Sequence, residues 1–288
     1  MKSFLDALQK ARAIDSARSQ AVSHGNIGLL NQYEGRYSAA LSAYDEALKI
    51  LSGLDDKRGL AEFTIKQASA FTELGRPDDA KAKLDQAGPW VRETRNNEQA
   101  SDYQAALGDW HLAQGEPEAA RRAWERSVEL ATASGSPTAV LRAKITRGAG
   151  LVSIGGAAAA APDLAAVAAR ADALGDALLR IRASEALARA ELGRGRLRAA
   201  EESARQALAL AEQSGWDAGL YRLHSLVARI QEKKGDVAGA AAAFAESARA
   251  IARLREGMSA DLRSSFDRLA SVREVEGWRG GHPAMAVR

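Results

Sequence analysis

The sequence contains no cysteine. That excludes a disulfide framework and any zinc site built on thiolates, and it fits a reducing compartment, so the cytoplasm is expected. Aromatic side chains are scarce, with five each of Trp, Tyr and Phe among 288 residues, whereas alanine is abundant. That balance suits thin helices stacked at close range. No stretch approaches the ~18 consecutive apolar residues of a membrane span, and the run 155–161 is mostly alanine. The first twenty residues are charged throughout and lack the ~7–15-residue apolar centre of a signal peptide. Charge of one sign is also missing. Forty Lys and Arg against 37 Asp and Glu leave a net +3, too mild by itself to call for nucleic acid. No GxxxxGK[ST], HExxH or GxSxG pattern occurs.

What is present is a repeat. Residues 26–48, NIGLLNQYEGRYSAALSAYDEAL, read as two short amphipathic helices joined at Glu34-Gly35-Arg36. Ala40, Tyr44 and Ala47 share one face at i, i+4, i+7 spacing. Stepping 40 residues from Gly35 meets Gly75, Gly115, Gly155, Gly195 and Gly235; the same step from Ala40 meets Ala80, Ala120, Ala160, Ala200 and Ala240. With the turn glycine numbered 15, position 8 holds Gly28, Ala68, Gly108, Gly148, Ala188 and Ala228, all small. Position 24 holds Tyr44, Leu84, Trp124, Leu164, Ala204 and Phe244, five of them large. Position 27 (Ala47, Ala87, Ser127, Val167, Ala207, Ser247) is small or mid-sized.

Small residues at 8, 20 and 27 with a large one at 24 resemble the tetratricopeptide repeat. The resemblance covers Gln20 to about Gly257. Two features depart from the family pattern. Position 4, usually large, holds His24, Thr64, Gln104, Lys144, Ser184 and His224. The 40-residue period exceeds the usual ~34 and is similar to that of longer-helix members such as kinesin light chain. The resemblance implies an all-α fold, a right-handed superhelical α-solenoid of six 40-residue helix–turn–helix repeats with a C-terminal capping helix.

First helices are expected near 20–34, 58–74, 98–114, 138–154, 177–193 and 217–234. Second helices are expected near 37–52, 77–93, 117–133, 158–173, 197–213 and 237–255. Pro77 and Pro117 sit at helix starts, where the missing N–H is harmless. Gly135, Gly175 and Gly215 share a register as C-terminal stops. Pro162 is expected to shorten or kink its helix. Residues 1–19 read as the second helix of a preceding partial repeat, because Phe4 and Ala7 fall at positions 24 and 27, and more chain upstream is expected. Residues 20–257 are the six repeats. Residues 258–276 read as a capping helix whose stripe Leu262, Phe266, Leu269 covers repeat six, and 277–288 as a disordered tail.

The residues offer no catalytic constellation. His24, His224 and His111 fall at repeat core positions 4, 4 and 11 in different layers, so no convergent metal site is expected; no cofactor is expected either. Gly148, Gly150, Gly155 and Gly156 lack GxGxxG spacing and a preceding strand. The expected role is a non-enzymatic protein–protein interaction module. In this family the first helices line a concave groove with positions 2, 5, 9 and 12, which the resemblance carries onto this chain. Those positions split by charge. Glu62, Asp102 and Asp109 mark repeats two and three. Arg142, Arg182, Arg222, Arg189 and Arg229 mark repeats four to six, tempered by Glu185 and Glu232. The partner expected is a protein or peptide that lays an acidic segment over repeats four to six. The family's chaperone-tail clamp needs Lys at 5 and Asn at 9, but Gly25 and Leu29 stand there. A regulatory arm of a larger bacterial signalling enzyme or transcription regulator is the alternative reading. A nucleic-acid-binding solenoid would want basic and aromatic residues along the whole groove, which repeats two and three do not supply. The sequence sets no oligomeric state.

Overall fold

The computed structural model describes residues 16–281. The expected half-repeat lies outside them apart from 16–19, and so do residues 282–288. Fourteen helices make up the secondary structure of the described residues, with no strand among them. In chain order they are α1 Ala17–Tyr33, α2 Tyr37–Gly53, α3 Lys57–Glu73, α4 Pro77–Thr94, α5 Asn97–Ala113, α6 Pro117–Ser134 and α7 Pro137–Ser153. They continue as α8 Ala157–Leu174, α9 Ala177–Gly193, α10 Leu197–Ser214, α11 Asp217–Lys234, α12 Val237–Glu256, α13 Ala260–Phe266 and α14 Ala270–Gly281. The first helix starts at 17, so residues 17–19 open α1 rather than closing an earlier repeat.

The helix ends explain the period. The amides of Arg36, Arg76, Glu116, Gly156, Arg196 and Asp236 each donate to the carbonyl five residues back, at 2.8–2.9 Å. The glycine before each has φ between 69° and 87°. This is the Schellman stop, which satisfies orphan carbonyls and needs a left-handed residue. First helices start on a second 40-residue register. Ser16, Asp56, Asn96 and Asp176 each accept a hydrogen bond from the amide three residues on, an N-cap that satisfies one open donor.

The chain divides into two units. One holds α1–α6 with Gly257–Phe266; the other holds α7–α12 with the chain from Asp267. In the first unit α1 packs on α2, α3 on α4 and α5 on α6, and each pair also meets the next. Tyr44, Leu84 and Trp124 are fully buried, at 0% exposure. Position 8 is small for a steric reason: a Cβ on Gly28 would fall 2.7 Å from the Tyr44 ring, and one on Gly108 would fall 2.4 Å from the Trp124 ring. The segment at 257–259 docks on the start of α2: Ser38 N donates to Gly257 O (3.2 Å), and Ser259 N donates to Ser38 Oγ (2.9 Å).

In the second unit α7–α12 pack in the same sequence of neighbours. Leu164 and Phe244 are buried, and a Cβ on Gly148 would fall 2.5 Å from Leu164. The unusual position 4 is offset by its neighbours. Leu141, Ile181 and Tyr221 at position 1, and Leu223 at position 3, supply buried apolar side chains, while the small Ser184 at position 4 is buried as well. Pro162 does not shorten α8, which runs 18 residues around it.

The C-terminal helix expected as one is two, α13 and α14, broken across 267–269. Leu262 and Phe266 are buried and Leu269 only partly so. The α12 helix is instead covered by α14, which packs on it. Val272 and Val275 are buried, and the Trp278 ring stacks on Phe244 with centroids 4.8 Å apart. Residues 277–281, expected in the tail, are helical.

Candidate functional site

Glu185 lies on α9, and its side chain is 10% exposed. A lone buried carboxylate is costly unless paired. This one is paired twice through the same oxygen: Arg189 Nη2 lies 2.7 Å from Oε1, and Arg222 Nε of α11 lies 3.5 Å from it. Burial alone would raise the Glu185 pKa. Arg189, Arg222 and Arg182 together outweigh burial and hold the carboxyl below the usual range, so it is ionised. Arg182, one turn before Glu185 on α9, makes no ion pair or hydrogen bond among the described residues. The three guanidinium groups and one carboxylate sum to +2.

The local fold fixes Arg222. Its guanidinium carbon lies 5.5 Å from the ring centroids of both Trp216 and Tyr221, a cation–π arrangement. Trp216 stands in the register that holds Ser16, Asp56, Asn96, Ser136 and Asp176. It makes no side-chain cap for α11 and instead lays its ring under Arg222. Gly219 leaves room for that ring, because a Cβ there would fall 2.1 Å from Trp216. Sequence reasoning missed Trp216, Gly219 and Tyr221 as parts of the site. The available signal was the break in capping register at 216.

The other arginines of this unit do not join the cluster. Arg229 on α11 is 3.3 Å from Glu274 of α14, and neighbouring Glu232 accepts the Trp278 indole N–H at 3.0 Å. Arg142 on α7 is half-buried and has contacts of its own. The structure therefore brings together Arg182, Arg189 and Arg222 and holds Arg229 against the C-terminal helix.

In the first unit the three acids stay apart in role. Glu62 on α3 is half-exposed, with Lys66 Nζ at 3.9 Å. Asp109 on α5 accepts the buried Trp124 indole N–H at 3.0 Å, so it also satisfies the core. Asp102 is half-buried and engaged. Glu73 at the end of α3 accepts from Gln32 Nε2 and Tyr37 Oη, both at 3.1 Å, while Gln32 Oε1 accepts from Tyr44 Oη at 2.9 Å. Burial, with Tyr33 and Glu73 nearby, pushes the Tyr44 phenol far up. His111 is not a core filler: its Nδ1 lies 2.6 Å from Glu116 across the turn. Among the described residues no group of His, Asp and Glu converges to hold a metal, and no helix is long and apolar enough to cross a membrane.

No protein-family model matches the sequence, and no curated protein matches it. Solved structures do match in fold. A Rap protein complexed with competence and sporulation factor aligns over 99% of this chain and 82% of its own, with a TM-score of 0.69 at 14% identity. Aspartyl phosphate phosphatase F from Bacillus subtilis aligns over 98% and 74%, with a TM-score of 0.58 at 15% identity. A signal transduction ATPase with a tetratricopeptide repeat sensor, from Pyrococcus horikoshii, aligns over 92% of this chain and 43% of its own, with a TM-score of 0.52 at 14% identity. The fold is thus a tetratricopeptide-like repeat solenoid.

Proposed function

We propose that the chain is a non-catalytic module that binds a protein or peptide, and that the α9–α11 face of its second unit takes an acidic segment. The observation that carries this is the buried Glu185 carboxylate among Arg182, Arg189 and Arg222. The cluster keeps an excess of positive charge, and Arg182 has no counter-ion of its own. Arginine suits the task because its planar fork takes a carboxylate with two hydrogen bonds. Each such charged bond contributes about 1.5–3 kcal/mol when shielded and much less in open water. Arg222, stacked on two rings, is set in place before any ligand arrives, which lowers the entropy lost on binding.

A second reading, the regulatory arm of a larger signalling protein, uses the same face. It is favoured by the Pyrococcus match, in which a repeat sensor is part of a longer chain. Nucleic acid is disfavoured because the rings beside the arginines, Trp216 and Tyr221, are buried under Arg222 and not offered to bases.

The test is a fluorescence-anisotropy titration with a labelled Asp/Glu-rich 15-residue peptide and a neutral control of the same length. Wild type should bind the acidic peptide, more weakly as salt rises. Arg182→Ala should lose it, while Arg198→Ala on the exposed start of α10, which changes net charge equally, should keep it. Charge reversal at Arg182 or Arg222 is a poor probe, because it would place a second acid beside buried Glu185. Equal loss in both alanine variants would show general electrostatics and refute the assignment.

A further inference from the structure

Glu185 is itself a carboxylate seated among the three arginines, so the structure already contains one answer to what the cluster accepts. We infer that the group it takes from a partner is a phosphorylated side chain rather than a second carboxylate. This rests on the binding reading above and sharpens it.

The first reason is charge. Arg182, Arg189 and Arg222 against Glu185 leave +2. A carboxylate brings −1 and leaves the site charged. A phosphoryl monoester brings about −1.5 to −2 near neutral pH and closes the balance. The second reason is geometry. Arg189 and Arg222 both reach the same Oε1 of Glu185, so the internal acid gathers two guanidinium groups from two helices at one point. Arg182, one turn earlier on α9, makes no hydrogen bond or ion pair among the described residues. A phosphoryl group offers three acceptor oxygens that point out of one plane, one more than a carboxylate has, so it can engage Arg182 together with guanidinium groups arriving from a second helix. The third reason is rigidity. Arg222 is held over Trp216 and Tyr221, and Arg189 is tethered to Glu185, so the donors are set before binding.

The source committed to is a phosphorylated polypeptide. Arg189 and Arg222 keep a third and a quarter of their side chains exposed on a helix face, a surface that a chain can cross and that does not enclose a small ion.

The experiment uses three 15-residue labelled peptide pools with randomised flanks and a fixed central residue: phosphoserine, Ser or Glu. The full chain is titrated by anisotropy at constant ionic strength, with inorganic phosphate as a competitor. The phosphoserine pool should bind at least tenfold more tightly than either other pool. Arg182→Ala should bring it down to the Ser level with unchanged helical content, and Arg198→Ala should not. Inorganic phosphate should compete only at concentrations far above the peptide's. Equal binding of the Glu and phosphoserine pools, both lost in Arg182→Ala, would overturn the phosphoryl inference while leaving the acidic-segment reading intact. Binding of no pool above Ser would overturn both. Competition by inorganic phosphate at the peptide's own concentration would overturn the polypeptide source in favour of the free ion.

Discussion

The Arg189 guanidinium lies 2.7 Å from the Glu185 carboxylate one turn earlier on the same helix, and the carboxylate is nearly closed to solvent. On an exposed helix such an i, i+4 pair contributes a few tenths of a kcal/mol. Here burial raises the stakes, since breaking a buried pair leaves an uncompensated charge. The folded pKa of Glu185 is lowered relative to its ordinary value near 4.5. A depressed carboxylate stabilises the fold above its unfolded pKa, and that contribution is lost as pH falls through the folded value. Glu185→Gln should therefore melt below wild type at pH 7, and the gap should close as pH falls from about 4.5. Thermal melts at pH 7, 5, 4 and 3 read this directly. A gap that persists unchanged at pH 3 would contradict it.

Arg95 closes α4 with φ 50°, in the 40-residue register where Gly135, Gly175 and Gly215 have φ 71–73°. A side chain in the left-handed region is disfavoured by about 1–2 kcal/mol, while glycine gives back part of that through its freer unfolded state. Arg95→Gly should stabilise the protein by about 0.5–1 kcal/mol in urea melts. Asp55, in the same register with φ 52°, should gain less from glycine, because Asp tolerates this conformation better. A loss of stability in Arg95→Gly would sink the account of that turn.

Gly108 faces the fully buried Trp124, whose indole is also tied to Asp109. Gly108→Ala gains up to about 1 kcal/mol of helix propensity but overpacks a ring that cannot give way, at about 1–3 kcal/mol. The expected net effect is destabilisation. Placed in a Trp124→Leu background, the same substitution should be neutral or stabilising. A double-mutant cycle measured by denaturant melts checks it, and additive effects would show that the two positions are not coupled.

Trp278 stacks on Phe244 and donates to Glu232. Trp278→Ala should lower stability by about 1–3 kcal/mol. Val237→Ala, at an exposed position, should stay within about 0.5 kcal/mol. Equal melting of the two variants would mean that α14 does not seal α12.

The periodic parts of this molecule were legible because one rule is stated many times. A residue every 40 that must be glycine, small or large leaves a pattern even when each copy is weak, so helix bounds fell within a few residues. Arg95 and Asp55 escaped notice because they fill a glycine slot at a strain the fold tolerates. The break at 267–269 escaped because Leu262, Phe266 and Leu269 keep helical spacing across a chain that stops being helical. At the candidate site, the sequence singled out the arginines as expected groove positions, but not which of them meet. Glu185 collects Arg189 and Arg222 from two helices, while Glu274, far along the chain, holds Arg229. Such pairings depend on contacts between helices that the repeat alone does not specify. Trp216 was informative only as an exception to its register.

The most direct measurement is the arginine Nε–Hε NMR spectrum of the labelled chain, assigned by single substitutions and recorded while the acidic 15-residue peptide is added. The cross-peaks of Arg182, Arg189 and Arg222 should shift with one shared saturation curve, while those of Arg198 and Arg205 on α10 stay in place. Shifts confined to α10, or saturation that leaves Arg182 unmoved, would contradict binding at the α9–α11 face.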